Sequence, residues 1–182
     1  MLKSFVDEDK YNFLIKLLTD IHEDKLRQTA SIVILRGGPS SGKSTLVQIM
    51  EKLAPSSCRK CFGDIGIRSN AKEKSVAEWN SSLIIFSELS STKDHYDTLK
   101  KYHQVQKEIG PISLYHDQSL MVNFNPGVFV VCVNDDQSYN FQKMKRNPAE
   151  LTLPNKFKFK NEVSPTLVDD CVAEFVEIYN QK

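Results

Sequence analysis

A chain of 182 residues with 40% apolar side chains can bury one substantial core, which fits one domain with at most a small appendage. Lysine and arginine (24) balance aspartate and glutamate (23) to leave a net charge of +1, so no global field draws the chain to nucleic acid; such a contact needs a local basic surface. No apolar run reaches the roughly eighteen residues that cross a membrane, the charged N-terminus lacks the apolar stretch of a signal peptide, and four cysteines are too few for a disulfide scaffold, so the expected setting is reducing and intracellular.

Along the chain, Phe13, Leu14, Leu17, Leu18 and Ile21 recur at helical spacing with Lys16, Asp20 and Glu23 between them, which predicts an amphipathic helix. Ser31 to Leu35 is a β-branched run that reads as a buried strand. A glycine-serine turn follows over Gly37 to Gly42, then a helix from Ser44 to Leu53 that Pro55 ends. Leu83 to Phe86 reads as a second buried strand, and Lys93 to Glu108 as a polar helix stopped by Gly110-Pro111. Ile112 to Tyr115 and Leu120 to Phe124 alternate, with His116 to Ser119 between them, which predicts a β-hairpin. Gly127 to Val133 is a third buried strand, and Lys156 to Lys160 a strand with one wet face. Ser164-Pro165 supplies an N-cap and a helix-starting proline for a last helix running to about Tyr179, with Leu167, Val168, Cys171, Val172, Phe175, Val176 and Tyr179 on its apolar side. Strands alternating with helices define an α/β sheet covered by helices.

One motif carries chemistry on its own. Gly37-Gly38-Pro39-Ser40-Ser41-Gly42-Lys43-Ser44 satisfies the P-loop pattern in full, with Thr45 beside it and the required strand and helix on either side. Glycines let backbone N–H groups turn inward around phosphate oxygens, and the following helix aims its N-terminal dipole at the same charge. Lys43 is the residue to reach the β- and γ-phosphates, and the Ser44 hydroxyl the one to bind Mg²⁺. The expected ligand is a nucleoside triphosphate, ATP with Mg²⁺. Glu88 follows the strand Leu83 to Phe86 at its carboxyl end, where ligands bind in open α/β sheets; it is the candidate to orient water and, with Ser44, to serve the metal. Asn134 ends the third strand and is either a γ-phosphate sensor or an ordinary turn former. Cys58 and Cys61 form a single C-x-x-C with no second pair nearby, too few ligands for zinc.

Taken together, the P-loop Gly37 to Thr45, the strand and acid Leu83 to Glu88, the hairpin segment Gly110 to Phe124 and the strand Val128 to Asn134 resemble the superfamily 3 helicases of small DNA viruses over about residues 30 to 160. The resemblance implies an AAA+-like three-layer P-loop NTPase fold, with a mostly parallel central sheet and a hairpin before the sensor strand. It divides the chain into an N-terminal helical segment (1–28), an ATPase core (29–162) and a C-terminal helix on that core (163–182). It implies a ring, usually hexameric, acting on single-stranded DNA with ATP between subunits. Lys43, Ser44 and Thr45 then bind ATP and Mg²⁺, Glu88 takes the second acidic Walker B position, Asn134 is the sensor, and Arg146 is at the distance of an arginine that reaches a neighbour's γ-phosphate. His116, at the hairpin tip, becomes the DNA contact. The resemblance places the protein in a host nucleus, with an origin-binding or endonuclease domain supplied elsewhere. Two positions depart from that pattern: Ser87 stands where an acid is usual, and Asp117 follows His116 where lysine is usual. They motivate a second expectation, a nucleotide-binding scaffold or regulatory module with little turnover.

Overall fold

The structure is a computed structural model that describes residues 1–26, 31–55, 60–62, 82–86, 109–113, 119–123, 128–134, 149–153 and 166–181. The elements in chain order are a short 3-10 turn (Leu2–Ser4), α1 (Glu8–His22), β1 (Ser31–Arg36), α2 (Lys43–Leu53), β2 (Lys60–Phe62), β3 (Leu83–Phe86), β4 (Ile109–Ser113), β5 (Ser119–Asn123), β6 (Val128–Val133), β7 (Ala149–Thr152) and α3 (Leu167–Asn180).

Five strands form one sheet in the order β2-β3-β6-β1-β7, and every pairing in it is parallel. β6 is therefore inserted between β1 and β3, the AAA+-like arrangement of a P-loop NTPase. The strands are short and β-branched, which suits a sheet buried on both sides. Register explains the layers. Val33 and Leu35 of β1 share a face with Val128, Val130 and Cys132 of β6, and with Leu83 and Ile85 of β3. That face packs on Leu14, Leu18 and Ile21 of α1, Leu46, Ile49 and Met50 of α2, and Cys171 and Phe175 of α3 in one core. The opposite face is closed too, since Ile32, Ile34, Val131 and Val133 are buried.

The helical layer is pinned by specific contacts. α2 and α3 pack against each other and α1 against both. Phe175 is fully buried, with the His22 ring edge-on at 5.8 Å and the Tyr179 ring stacked at 6.0 Å. The Tyr179 hydroxyl donates to Glu23 at 2.9 Å, and Lys25 pairs with the same carboxylate at 2.5 Å. Both contacts, led by the lysine, hold the Glu23 carboxyl below its usual range.

The hairpin expected before β6 is present, with β4 and β5 antiparallel and Ile109 opposite Asn123. Its strands lie earlier than the alternation indicates. Gly110 and Pro111, read above as a stop, sit inside β4, and Ser119 belongs to β5. Among the described residues β4 pairs with β5 alone, and a strand with one unpaired edge tolerates a residue that has no N–H to give. Further differences are that α2 begins at Lys43, that α3 has Thr166 as its N-cap, and that β2 and β7 carried no strand signal. The anticipated helix at 93–108, the strand at 156–160 and the pair Ser164-Pro165 lie outside the described residues.

Candidate nucleotide-binding site

The site grows out of the carboxyl end of β1, between its two neighbours. The Gly37 N–H donates to the Val133 carbonyl at 3.2 Å, fastening the start of the loop to β6. The Leu153 N–H donates to the Arg36 carbonyl at 2.7 Å, fastening the exit of β7 on the other side. Gly37 fits where nothing larger would. A Cβ there would stand 2.4 Å from Ser41 Oγ, 2.8 Å from Ser41 Cβ and 3.2 Å from the Leu153 carbonyl oxygen.

Beyond Gly37 the backbone reverses. The Ser41 N–H donates to the Gly38 carbonyl at 3.3 Å, closing a four-residue turn through Pro39 and Ser40. Proline fixes its own φ near −65°, and Ser40 has φ of 60°, so this is a type II turn with serine where glycine or asparagine is favoured. Gly42 follows with φ of 95° and N-caps α2, with no side chain closing the helix's first turn. Left-handed residues set close together turn N–H groups toward one side, and an uncapped helix start adds its own donors. Ser44, in that first turn, is exposed.

The Lys43 ammonium lies across the loop and donates to the Gly37 and Gly38 carbonyls, at 2.9 Å for the latter. Neutral carbonyls hold an ammonium less strongly than anionic oxygens do, so a phosphate can draw it away. Lys43 also acts on Cys132 of β6. Burial pushes that thiol up to about 11, and the Lys43 charge pulls in the opposite direction. Arg36, the last residue of β1, pairs with Glu150 of β7 at 2.5 Å on the face away from the helices.

These observations fit the phosphates of a nucleotide. A loop closed to a Cβ at Gly37, a helix start with no side-chain cap, and a lysine held, among the described residues, by backbone carbonyls match a phosphate chain. Gly37, Gly38, Pro39, Ser40, Ser41, Gly42, Lys43, Ser44 and Thr45 are thus brought together on one loop and one helix start. Asn134 directly follows Val133, which anchors Gly37, and is half-buried beside the loop. Glu88, Ser87, Arg146 and the His116-Asp117 tip lie outside the described residues. Sequence reasoning missed three contributors: the β7 exit bonded to the Arg36 carbonyl, the Arg36–Glu150 pair, and Cys132, whose thiol feels the Lys43 charge. A four-residue strand containing Glu150 has no periodic signature, so only its parallel pairing with β1 reveals it. Among the described residues no three His, Cys, Asp or Glu side chains gather to hold a metal, and no helix is long and apolar enough to cross a membrane.

Sheet order and loop define the class: the fold is that of a P-loop NTPase of the AAA+-like kind. No protein-family model matches the sequence, and no curated protein matches it. Among solved structures the fold is similar to the NrS-1 C-terminal region, with a TM-score of 0.67 and 14% identity over 96% of this chain and 41% of that one. It is also similar to JCV helicase bound to a small acetamide compound, with a TM-score of 0.60 and 12% identity over 94% of this chain and 48% of that one. The chain thus spans less than half the length of these solved chains, and the likeness to a helicase domain is one of fold.

Proposed function

We propose that this chain is an ATP-binding and ATP-hydrolysing domain of the superfamily 3 helicase kind, acting in a ring, most simply a hexamer, on single-stranded DNA. One observation carries the reading: an intact P-loop stands on the inner strand β1 of a sheet ordered β2-β3-β6-β1-β7, with a hairpin before the Asn134 strand. The likeness to the JCV helicase agrees with it at the level of fold.

In this reading the loop N–H groups and Lys43 bind the β- and γ-phosphates, and the Ser44 hydroxyl and Glu88 serve Mg²⁺. The metal, when bound, neutralises charge on the phosphate oxygens. Glu88 orients the attacking water, Asn134 reports the γ-phosphate to the neighbouring strand, and Arg146 completes a neighbour's site. His116 touches a DNA phosphate. Origin binding or nicking is supplied by another region or protein, and the work is done in a host nucleus.

The test is the ATPase rate with and without single-stranded DNA, beside a mass measurement with a non-hydrolysable nucleotide. Stimulation by DNA and a nucleotide-dependent ring are expected. Tight ATP binding with a slow, DNA-independent rate and a monomeric mass would sink the motor. It would leave the second reading, a nucleotide-binding module of low turnover, which Ser87 in place of an acid favours.

A further inference from the structure

Among the buried side-chain polar atoms of the described residues, one group stands out. Ser41 is 1% exposed, and its Oγ is the one fully buried side-chain polar atom among the described residues with no hydrogen-bond partner. A buried hydroxyl left unpaired is destabilising, and such groups ask for an explanation. Its position supplies one. Ser41 Oγ lies against Gly37, 2.4 Å from where a Cβ would be, and Gly37 is itself buried. The Gly37 carbonyl is held by the Lys43 ammonium.

A phosphate that draws Lys43 away strips that carbonyl of its donor. A buried carbonyl without a donor is as costly as a buried hydroxyl without an acceptor. Ser41 is an unused donor lying against Gly37, and a hydroxyl can be re-aimed by rotation about one bond. We propose that Ser41 is a positioning residue, a reserve donor that takes over the Gly37 carbonyl when Lys43 leaves it for a phosphate. The empty loop then carries one unpaired hydroxyl, the loaded loop none, and the difference favours binding. Its burial argues against direct contact between the Ser41 hydroxyl and a phosphate in solvent. This inference rests on the reading of the loop as a nucleotide site, but half of its test needs no nucleotide.

That half compares Ser41→Ala in two backgrounds by thermal melting of the ligand-free chain. In the otherwise native chain, removing an unpaired hydroxyl should leave the melting temperature unchanged or raise it. In Lys43→Ala, where the Gly37 carbonyl has lost its ammonium, Ser41 should already be engaged, and Ser41→Ala should lower the melting temperature. A change of the same sign in both backgrounds overturns the proposal. The other half titrates a non-hydrolysable ATP analogue with Mg²⁺. Ser41→Ala should bind about tenfold more weakly than the native chain, from one lost hydrogen bond and one relieved penalty. Equal affinity overturns the proposal and leaves the nucleotide reading intact. Failure of the native chain to bind the analogue removes the nucleotide reading and, with it, the role given to Ser41.

Discussion

The helical layer and the P-loop neck are both anchored to β1 and β6, yet they are built on opposite principles. In the layer of α1, α2 and α3, side chains find partners: Phe175 is enclosed by aromatic rings, Tyr179 reaches Glu23, Glu23 reaches Lys25, and the left-handed residue just past α1, Asp24 with φ of 54°, is of a type that tolerates that conformation. In the neck, conflicts are kept. Ser40 is held at a φ of 60°, Gly37 leaves no room for a Cβ between Ser41 and Leu153, and the Ser41 hydroxyl is unpaired. Strain of this kind persists only where the surroundings over-determine it, and it gathers where a ligand is to be bound. The contrast separates residues that hold the fold from residues that hold the phosphate, and it can be broken by substitutions on either side.

The largest effect belongs to the layer. Phe175→Ala empties the centre of the α1–α3 contact, and loss of a buried aromatic ring costs about 3 to 5 kcal/mol. Denaturant melts should show that loss while the affinity for nucleotide, measured well below the transition, stays within about twofold. An equally large fall in affinity would mean that the two regions are not separable. Lys43→Ala is the mirror image. ATP hydrolysis should fall by about a hundredfold or more, since the charge that meets the phosphates is gone. Stability should change by less than about 1 kcal/mol, because among the described residues the ammonium bonds to loop carbonyls alone. A collapse of the fold in that variant would assign Lys43 to structure.

The same contrast explains what could be read in advance. The layer and the strands β1, β3 and β6 were legible because burial imposes a period: Leu14, Leu18 and Ile21 on a helix, and β-branched runs in a sheet closed on both faces. The P-loop was legible because phosphate binding restricts residue type at fixed spacing. Where pairing alone makes the element, nothing was visible. Glu150 and Leu151 become strand through β1, and Gly110-Pro111 enters β4 against its own propensity. Local conformation was equally hidden, since nothing in Pro39-Ser40-Ser41 states that the second of these is left-handed or that the third is unpaired.

Cys132 links the two regions, since it belongs to the core on the helical side of the sheet and its thiol feels the Lys43 charge, and its effect is next in size. Its thiol is raised from 9.0 to about 11 in the fold, chiefly by burial. A raised value means the folded state prefers the protonated thiol. The contribution is therefore intact below about pH 9 and is lost as pH rises toward 11, at up to about 2 to 3 kcal/mol. Cys132→Val should flatten this alkaline part of the stability curve. A curve unchanged between pH 8.5 and about 10.5 would show that the thiol titrates alike in the folded and unfolded chains.

The smallest effect is the most direct test of stored strain. A serine at a left-handed φ is disfavoured by about 1 kcal/mol, and glycine removes that penalty while adding freedom to the unfolded chain. Ser40→Gly should therefore stabilise the empty protein by no more than about 0.5 kcal/mol, readable as a rise of roughly 1 to 2 °C in melting temperature. The same freedom should loosen the loop before it meets a phosphate, so nucleotide affinity should fall about two- to threefold. The two changes have opposite signs because the strain sits in a turn that is shaped before the ligand arrives. A variant that gains stability and keeps its affinity would show that the turn at Pro39-Ser40 is merely tolerated. The contrast between a resolved layer and a strained neck would then rest on Gly37 and Ser41 alone.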